Sequence, residues 1–213
     1  MLDRCAGCGY NGCGDGLERM MKGGFSMKRD HYLLKVAGLE RKLPLCPLND
    51  ELYIAAFVIF GDVELTEACA RDLLARAPAH DILITAESKG IPLVYAMAHQ
   101  NGESRYLVAR KAPKLYMRNV HTTSVRSITT SGIQTLCIDQ DDVQLMRGKR
   151  VLLVDDVIST GESLRALRKL VEDAGGIVAG CMAILAEGVA QERDDLIYLE
   201  PLPLFDANGD PIG

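Results

Sequence analysis

The stretch VLLVDDVISTGESL, residues 151–164, decides the fold. Its first four residues are apolar, as in a strand that is covered on both faces of a parallel sheet. From Leu164 onward the apolar residues recur at helical spacing, so the pattern predicts a helix after a short loop. The loop is therefore expected at the carboxyl end of a strand, where open α/β sheets bind their ligands.

The residues of this loop are suited to bind a phosphate group. Ser159 and Thr160 supply hydroxyl groups, and Gly161 lets the backbone come close to a ligand. The first amides of the following helix have no partner within the helix and point at whatever occupies the loop. Ser159 and Glu162 also match a capping box, which can open a helix after any strand. The loop alone thus leaves a purely structural interpretation open.

Asp155 and Asp156 indicate a second group on the same ligand. Carboxylates repel a phosphate, and their natural partners are hydroxyl groups, from which they accept strong hydrogen bonds, or a metal-bound ligand. A sugar phosphate satisfies both requirements, with its phosphate in the loop and its vicinal hydroxyls on the two acids.

Together these residues resemble the PRPP-binding motif of type I phosphoribosyltransferases, in which two acids end a strand and a Thr-Gly turn follows. PRPP is 5-phosphoribosyl 1-pyrophosphate. The resemblance implies a doubly wound parallel α/β sheet with a small N-terminal hood region. It also implies that the two acids hold the ribose and that the loop binds PRPP through Ser159, Thr160, Gly161, Glu162 and Ser163. Glu162 is a departure, because relatives often have glycine there.

A second segment matches the same family. The residues ESKG, 87–90, follow a predicted strand over residues 82–85 and are similar to the pyrophosphate loop E-S-R-G of adenine phosphoribosyltransferases. On its own the segment is better explained as a surface turn. With the PRPP motif at the same edge of the sheet, the resemblance implies that Ser88, Lys89 and Gly90 bind PRPP.

A third segment supplies positive charge. Arg110, Lys111 and Lys114 follow a predicted strand over residues 106–109, and R-K-x-x-K-L is similar to the start of the flexible catalytic loop in adenine phosphoribosyltransferases. Three cations in such a short segment are most often a solvated surface, but a pyrophosphate leaving group would need them. The resemblance implies that all three bind PRPP and that Arg126 closes over the substrate with the loop. The catalytic residues that it implies are Asp155, Asp156, Arg110 and Lys114.

The loop lacks the carboxylate that the family uses as its general acid or base. Aligning TTSGIQTL with the family's L-E-Y-G-T-D-T-L places Thr130 at the position of the catalytic Glu, and residues 112–137 contain neither Asp nor Glu. His121 is the one histidine in this loop and a weak substitute. The sequence therefore leaves open which residue acts as the general acid or base.

The implied reaction is a purine salvage step of nucleotide metabolism, in which ribose 5-phosphate passes from PRPP to adenine and gives AMP and pyrophosphate. Mg²⁺ would be bound through PRPP and not by direct protein ligands. The end of a predicted strand over residues 177–185 is expected to wall the base pocket with Leu185, Ala186 and Glu187, and residues 41–60 are expected to roof it. Two alternatives remain: a 6-oxopurine (hypoxanthine or xanthine) phosphoribosyltransferase, and a non-catalytic PRPP-sensing regulator of the same fold.

The chain is expected to have three regions. Residues 1–26 are rich in glycine and resemble a translated ribosome-binding site before Met27, so we expect a disordered extension. Residues 27–63 form the hood, and residues 64–213 form the core with a flexible loop over 112–133. In the core, helices are predicted over 66–77, with Thr66 as the cap, and over 92–99; further strands are predicted over 135–138 and 196–199.

The composition of the chain indicates which kinds of binding partner to expect. The chain has 213 residues and a net charge of −5 with no basic tract, which argues against a nucleic-acid partner. The longest apolar stretch, residues 52–60, is well short of the ~20 residues that cross a bilayer. We therefore expect no association with a membrane, and we expect a cytoplasmic location. Cys5, Cys8 and Cys13 could suggest zinc, but their nearest fourth ligand is His31. A homodimer is expected from the resemblance and from the frequency of two-fold assemblies.

Overall fold

The computed structural model describes residues 29–126 and 133–212. The glycine-rich segment 1–26 and the cysteine cluster at Cys5, Cys8 and Cys13 lie outside the described residues. The strands, in chain order, are β1 His31–Val36, β2 Leu39–Pro47, β3 Tyr53–Ala55, β4 Ile82–Ala86, β5 Leu107–Ala109, β6 His121–Arg126, β7 Ile133–Ile138, β8 Arg150–Ile158, β9 Ile177–Glu187, β10 Leu196–Leu202, β11 Leu204–Phe205 and β12 Pro211–Ile212. The helices are α1 Val63–Leu74, α2 Ile91–Gln100, α3 Gln140–Met146 and α4 Glu162–Asp173, and a 3₁₀-helix spans Gly188–Glu192.

Five parallel strands form the central sheet in the order β10-β9-β8-β4-β5. The apolar run of β8 is buried on both sides, because successive side chains alternate between two cores. Leu152 packs with α1, α2 and the N-terminal strands, whereas Leu153 packs against α3 and α4. The predicted parallel sheet with helices on both faces is therefore confirmed.

The central strand is longer than the sequence predicted. β8 continues through Asp155 and Asp156 to Ile158, so the two acids lie within the strand and do not end it. The helix after it begins at Glu162 with Gly161 as the N-cap residue, at a φ of 72°. The capping box would need Ser159 in that position, so that interpretation is wrong.

Helix α1 begins earlier than predicted. Asp62, and not Thr66, is its N-cap residue, because Asp62 Oδ1 accepts a hydrogen bond from the amide of Leu65 at 3.0 Å. The Thr66 hydroxyl donates back to the carbonyl of Asp62 at 2.7 Å, from within the helix. The longest helices in the described part of the chain have 12 residues, and none there is long and apolar enough to cross a bilayer.

The interval predicted as a flexible loop over 112–133 contains regular structure. Strand β6 pairs with β7 in an antiparallel two-stranded sheet, from His121 opposite Ile138 to Arg126 opposite Ile133. The predicted strand at 135–138 thus belongs to this hairpin and not to the central sheet. A short connection can join only antiparallel neighbours, since a parallel crossover needs a dozen or more residues.

The hood is an antiparallel sheet that both ends of the described chain build. Its strand order is β1-β2-β3-β11-β12, so two strands from the C-terminal segment complete a sheet begun at residue 31. Tyr32 and Phe205 bring the two ends together, with ring centroids 5.2 Å apart. Leu34 and Phe205 share one buried core with Leu152 of the central sheet, so the hood packs directly above it.

Candidate active site

A cavity of about 340 Å³ opens at the carboxyl edge of the central sheet, between the ends of β4 and β8. The hood contributes one side of it, and the β6–β7 hairpin contributes another. Its lining residues are Phe60, Ala86, Glu87, Ser88, Lys89, Lys111, Gln134, Leu136, Asp155, Asp156, Val157 and Ser163. The structure therefore brings together residues from all three segments that the sequence singled out.

The two aspartates of β8 have different surroundings. Asp156 is 3% exposed, and its Oδ2 lies 3.2 Å from Lys89 Nζ. The ion pair does not have the geometry of a hydrogen bond. Asp156 Oδ2 therefore accepts no hydrogen bond from the described residues. Asp155 accepts the amide of Asp156 at 2.9 Å through Oδ1. Burial, and then the charge of Asp156, raise the pKa of Asp155 well above its ordinary value.

Glycine is required at position 90 by its neighbours. Gly90 precedes α2, and a Cβ there would overlap the buried Thr85 Oγ1 and lie 3.2 Å from Asp155 Oδ1. The backbone of residues 87–90 is thereby held close over the acids, and the peptide bond between Glu87 and Ser88 is cis. Ser88 and Lys89 line the cavity on this side.

Glu87 organises the cationic segment. Its carboxylate accepts the Lys111 amide at 2.7 Å and lies 3.3 Å from Arg110 Nη1 and 3.7 Å from Lys114 Nζ. Burial alone would raise the pKa of Glu87, but the Lys111 amide and the two cations outweigh it and lower the pKa. Glu87 therefore stays charged and holds the three cationic residues beside the cavity.

The phosphate loop joins β8 to α4. Ser159, Thr160 and Gly161 form the turn, Glu162 is the first residue of the helix, and Ser163 lines the cavity. The first amides of any helix have no acceptor within that helix, and the helix dipole favours negative charge at this end of α4. The loop thus lies beside Asp155 and Asp156, as a sugar phosphate would require.

The three residues predicted to wall the base pocket lie at the end of β9. Leu185 and Ala186 are fully buried, one in each core, while Glu187 is partly exposed. Burial raises the pKa of Glu187, and the nearby charge of Lys89 opposes that shift. The residues that line the cavity of about 340 Å³ do not include these three, so their role in the base pocket stays a prediction.

Several lining residues were not singled out from the sequence. Phe60, at 50% exposure, projects from the end of the segment that was expected to roof the base pocket. Gln134 and Leu136 enter from β7, which the sequence placed in the central sheet. Thr130 and the side chain of Arg126, two positions of the predicted catalytic loop, lie outside the described residues.

The family follows from comparison of this chain with known proteins. Residues 64–203 match the family model described as a phosphoribosyl transferase domain. The chain belongs to this family, whose members are glycosyltransferase-type enzymes. The resemblance drawn from the PRPP motif is therefore confirmed.

Similar proteins give a narrower comparison. The chain is 34% identical to an adenine phosphoribosyltransferase of Bifidobacterium animalis subsp. lactis over 161 residues, which are 73% of this chain and 79% of that protein. It is also 34% identical to an adenine phosphoribosyltransferase of Rubrobacter xylanophilus, over 60% of this chain and 68% of the relative.

Solved structures agree on the fold. A crystal structure of adenine phosphoribosyltransferase from Rhodothermus marinus matches with a TM-score of 0.57 at 23% identity, covering 83% of this chain and 96% of that one. The enzyme from Trypanosoma brucei, solved in complex with AMP, pyrophosphate and ribose-5-phosphate, matches with a TM-score of 0.56 at 16% identity. The match covers 82% of this chain and 78% of that one.

Proposed function

We propose that this protein is an adenine phosphoribosyltransferase of purine salvage, which transfers ribose 5-phosphate from PRPP to adenine and releases pyrophosphate. The observation that carries the proposal is Asp156 Oδ2, a buried acceptor that accepts no hydrogen bond from the described residues, beside a phosphate loop in a cavity lined with cations. Lys89 balances the charge of this carboxylate at 3.2 Å but makes no hydrogen bond to Oδ2, and a ribose hydroxyl would supply that hydrogen bond. The names of the curated relatives favour adenine as the acceptor.

The chemistry divides between the two sides of the cavity. Breaking the bond at the anomeric carbon leaves positive charge on the sugar, as in glycoside cleavage. In the proposal, Asp155 and Asp156 hold the ribose hydroxyls and fix the sugar in place. Lys89 and Lys111, which line the cavity, stabilise the negative charge of the departing pyrophosphate.

The positions of Arg110 and Lys114 give them a supporting role in the proposal. Both side chains bind Glu87, so their charges are fixed beside the cavity before any ligand arrives. Fixed charges need no reorganisation as the pyrophosphate leaves, which is the main advantage of such a site.

The donor set fits magnesium that arrives with PRPP. In the described ranges, no group of three or more His, Cys, Asp or Glu side chains is placed to hold a metal ion. Asp156 Oδ2 is a hard oxygen ligand of the kind that Mg²⁺ or its bound waters prefer. When bound, Mg²⁺ neutralises the diphosphate and acts as a Lewis acid. Asp155 and Asp156 would face it together with the ribose hydroxyls.

The absence of the loop glutamate favours a second candidate function, that of a non-catalytic regulator. If the alignment that places Thr130 at the position of that Glu holds, the chain lacks this catalytic group, which would favour a protein that binds PRPP without turning it over. A 6-oxopurine phosphoribosyltransferase would use the same PRPP residues and differ only in the groups that contact the base.

Product analysis separates these functions. The purified protein is incubated with PRPP, Mg²⁺ and, in parallel, adenine, hypoxanthine, guanine, xanthine or orotate, and nucleotides are resolved by ion-exchange chromatography. We expect AMP from adenine at a rate at least about 100-fold above the other bases, since pockets that hydrogen-bond their substrate discriminate by about 10⁴-fold. IMP or XMP as the main product would assign a 6-oxopurine enzyme, and PRPP binding without any nucleotide would assign a regulator.

The proposal includes a homodimer and a cytoplasmic location. The homodimer is expected from the resemblance to the family and from the frequency of two-fold assemblies. Light scattering of the purified protein at micromolar concentration should give twice the chain mass of 23.2 kDa.

A further inference from the structure

Arg193 lies against the phosphate loop from outside it. This residue follows the 3₁₀-helix after β9, yet its guanidinium reaches Gly161 at the start of α4. A Cβ at position 161 would lie 2.9 Å from Arg193 Nη1 and 3.6 Å from Arg193 Cζ. The positive φ of 72° favours glycine at position 161, and the guanidinium lies close enough that a Cβ there would displace it.

The hydrogen bonds of Arg193 leave two of its guanidinium nitrogens without an acceptor in the described ranges. Nη2 lies 2.8 Å from Asp195 Oδ1 and 2.9 Å from Asp195 Oδ2. Nε is buried without any hydrogen-bond partner in the described ranges, and Nη1 donates to no acceptor there. An arginine with a purely structural role would be expected to use its buried Nε, because a buried donor without a partner is costly. Nη1 is not among the buried atoms, so it is open to a ligand or to solvent.

Asp195 does not neutralise Arg193, because two arginines share it. Arg168 of α4 donates to Asp195 Oδ2 at 3.0 Å through its Nη2. The group of two guanidinium ions and one carboxylate therefore carries net positive charge. The end of that group nearest the loop is Arg193 Nη1, beside Gly161.

We propose that Arg193 binds the 5-phosphate of PRPP, with Nη1 donating to a phosphate oxygen held in loop 159–163. This inference rests on the proposed use of the loop and adds a residue from a different element of the fold. Arginine suits the role, since its planar guanidinium stays charged and donates in a fixed geometry to phosphate oxygens. Asp195 acts as a positioning residue that holds the guanidinium at Gly161.

Ribose 5-phosphate and Mg²⁺-pyrophosphate separate the two ends of the site. Dissociation constants for both ligands are measured by calorimetry on the full chain for the wild type, Arg193→Gln, Arg193→Lys and Arg168→Gln. We expect Arg193→Gln to weaken ribose 5-phosphate binding by about tenfold or more, the usual loss for one charge-assisted hydrogen bond, and to leave pyrophosphate binding unchanged. Arg193→Lys should recover part of the loss, because it keeps the charge.

Arg168→Gln is the matched control, since it removes the other partner of Asp195 and lies away from the loop. It should change ribose 5-phosphate binding by less than about threefold, as for a solvent-exposed ion pair. Equal binding of ribose 5-phosphate by the wild type and Arg193→Gln would overturn the inference, and so would an equal loss for both ligands. A wild type that binds both ligands but makes no nucleotide would refute the proposed function and leave the role of Arg193 standing.

Discussion

At the scale of single residues, the site depends on two adjacent carboxylates with unequal partners. Asp156 has Lys89 at 3.2 Å, whereas Asp155 accepts the amide of its neighbour. The sequence placed both acids, Lys89 and Ser163 at one edge, because the ends of parallel strands meet there. It missed the role of Glu87, whose partners Arg110 and Lys111 lie more than twenty residues away and approach it only through the pairing of β4 with β5.

Substitution of Asp155 by Asn is predicted to weaken PRPP binding and to increase the stability of the folded protein. Burial and the Asp156 charge raise the pKa of Asp155 above its value in the unfolded chain, so the folded protein holds this proton more tightly. Stability then falls as the pH rises from about 4 through the folded-state pKa, and the penalty is complete above it. A neutral amide in place of the carboxylate removes the penalty, and its oxygen can still accept the amide of Asp156.

Thermal melts at two pH values test this. Asp155→Asn should melt about 2–4 °C higher than the wild type at pH 9, with little difference near pH 4, and it should bind PRPP more weakly. Asp141→Asn removes the same charge from an exposed position and serves as the control. A lower melting temperature for Asp155→Asn at pH 9 would mean that the carboxylate is stabilising as an anion.

At the scale of elements, periodicity located β4, β8, β9 and α2 because each buries a long apolar face. It placed the cap of α1 four residues late, at Thr66, because Asp62 accepts the Leu65 amide and caps the helix there. It also missed β6, whose residues HTTSVR show no apolar alternation. Strand β6 forms because it pairs with β7, and no local pattern in the sequence reveals that pairing.

Asp62 is predicted to join the hood to the central sheet. Besides capping α1, it accepts hydrogen bonds from Arg41 of β2 at 2.6 and 3.0 Å. Asp62→Ala should lower the free energy of unfolding by about 1–2 kcal/mol in urea titrations at pH 7, most of it from the lost cap. Glu64→Gln, which removes a more exposed partner of Arg41, should cost less than about 0.5 kcal/mol.

The pH dependence of that loss has a defined sign. The Arg41 hydrogen bonds lower the pKa of Asp62 below its unfolded value, so this stabilisation is present above about pH 4 and disappears as the pH falls further. The difference between the wild type and Asp62→Ala should therefore shrink in titrations at about pH 3.5. An undiminished difference there would show that the ion pair contributes nothing.

At the scale of the whole molecule, the hood is built from both ends of the described chain. Local patterns indicated a separate N-terminal region, but they could not show that β11 and β12 complete its sheet, because that pairing joins residues about 150 positions apart. The same region carries Phe60 to the cavity. The C-terminal segment therefore supports the sheet from which the chain leads to Phe60.

Phe205 is the residue on which this arrangement depends most. It is 1% exposed and packs against Tyr32, so Phe205→Ala should lower the free energy of unfolding by about 3–5 kcal/mol. Ile212→Ala, in the neighbouring strand and 43% exposed, is the control and should cost much less. Urea titrations measure both. If the two variants were equally stable, the C-terminal strands would not support the hood.

The most direct test of the central claim is pyrophosphate release in a single turnover with PRPP, Mg²⁺ and adenine, measured for the wild type and Asp156→Asn side by side. The wild type should release one pyrophosphate per bound PRPP. Asp156→Asn, which keeps the size of the side chain but removes the buried charge, should be slower by about 100-fold or more. Equal rates for the two proteins, or no release by a wild type that binds PRPP, would contradict the assignment of this cavity as the site of phosphoribosyl transfer.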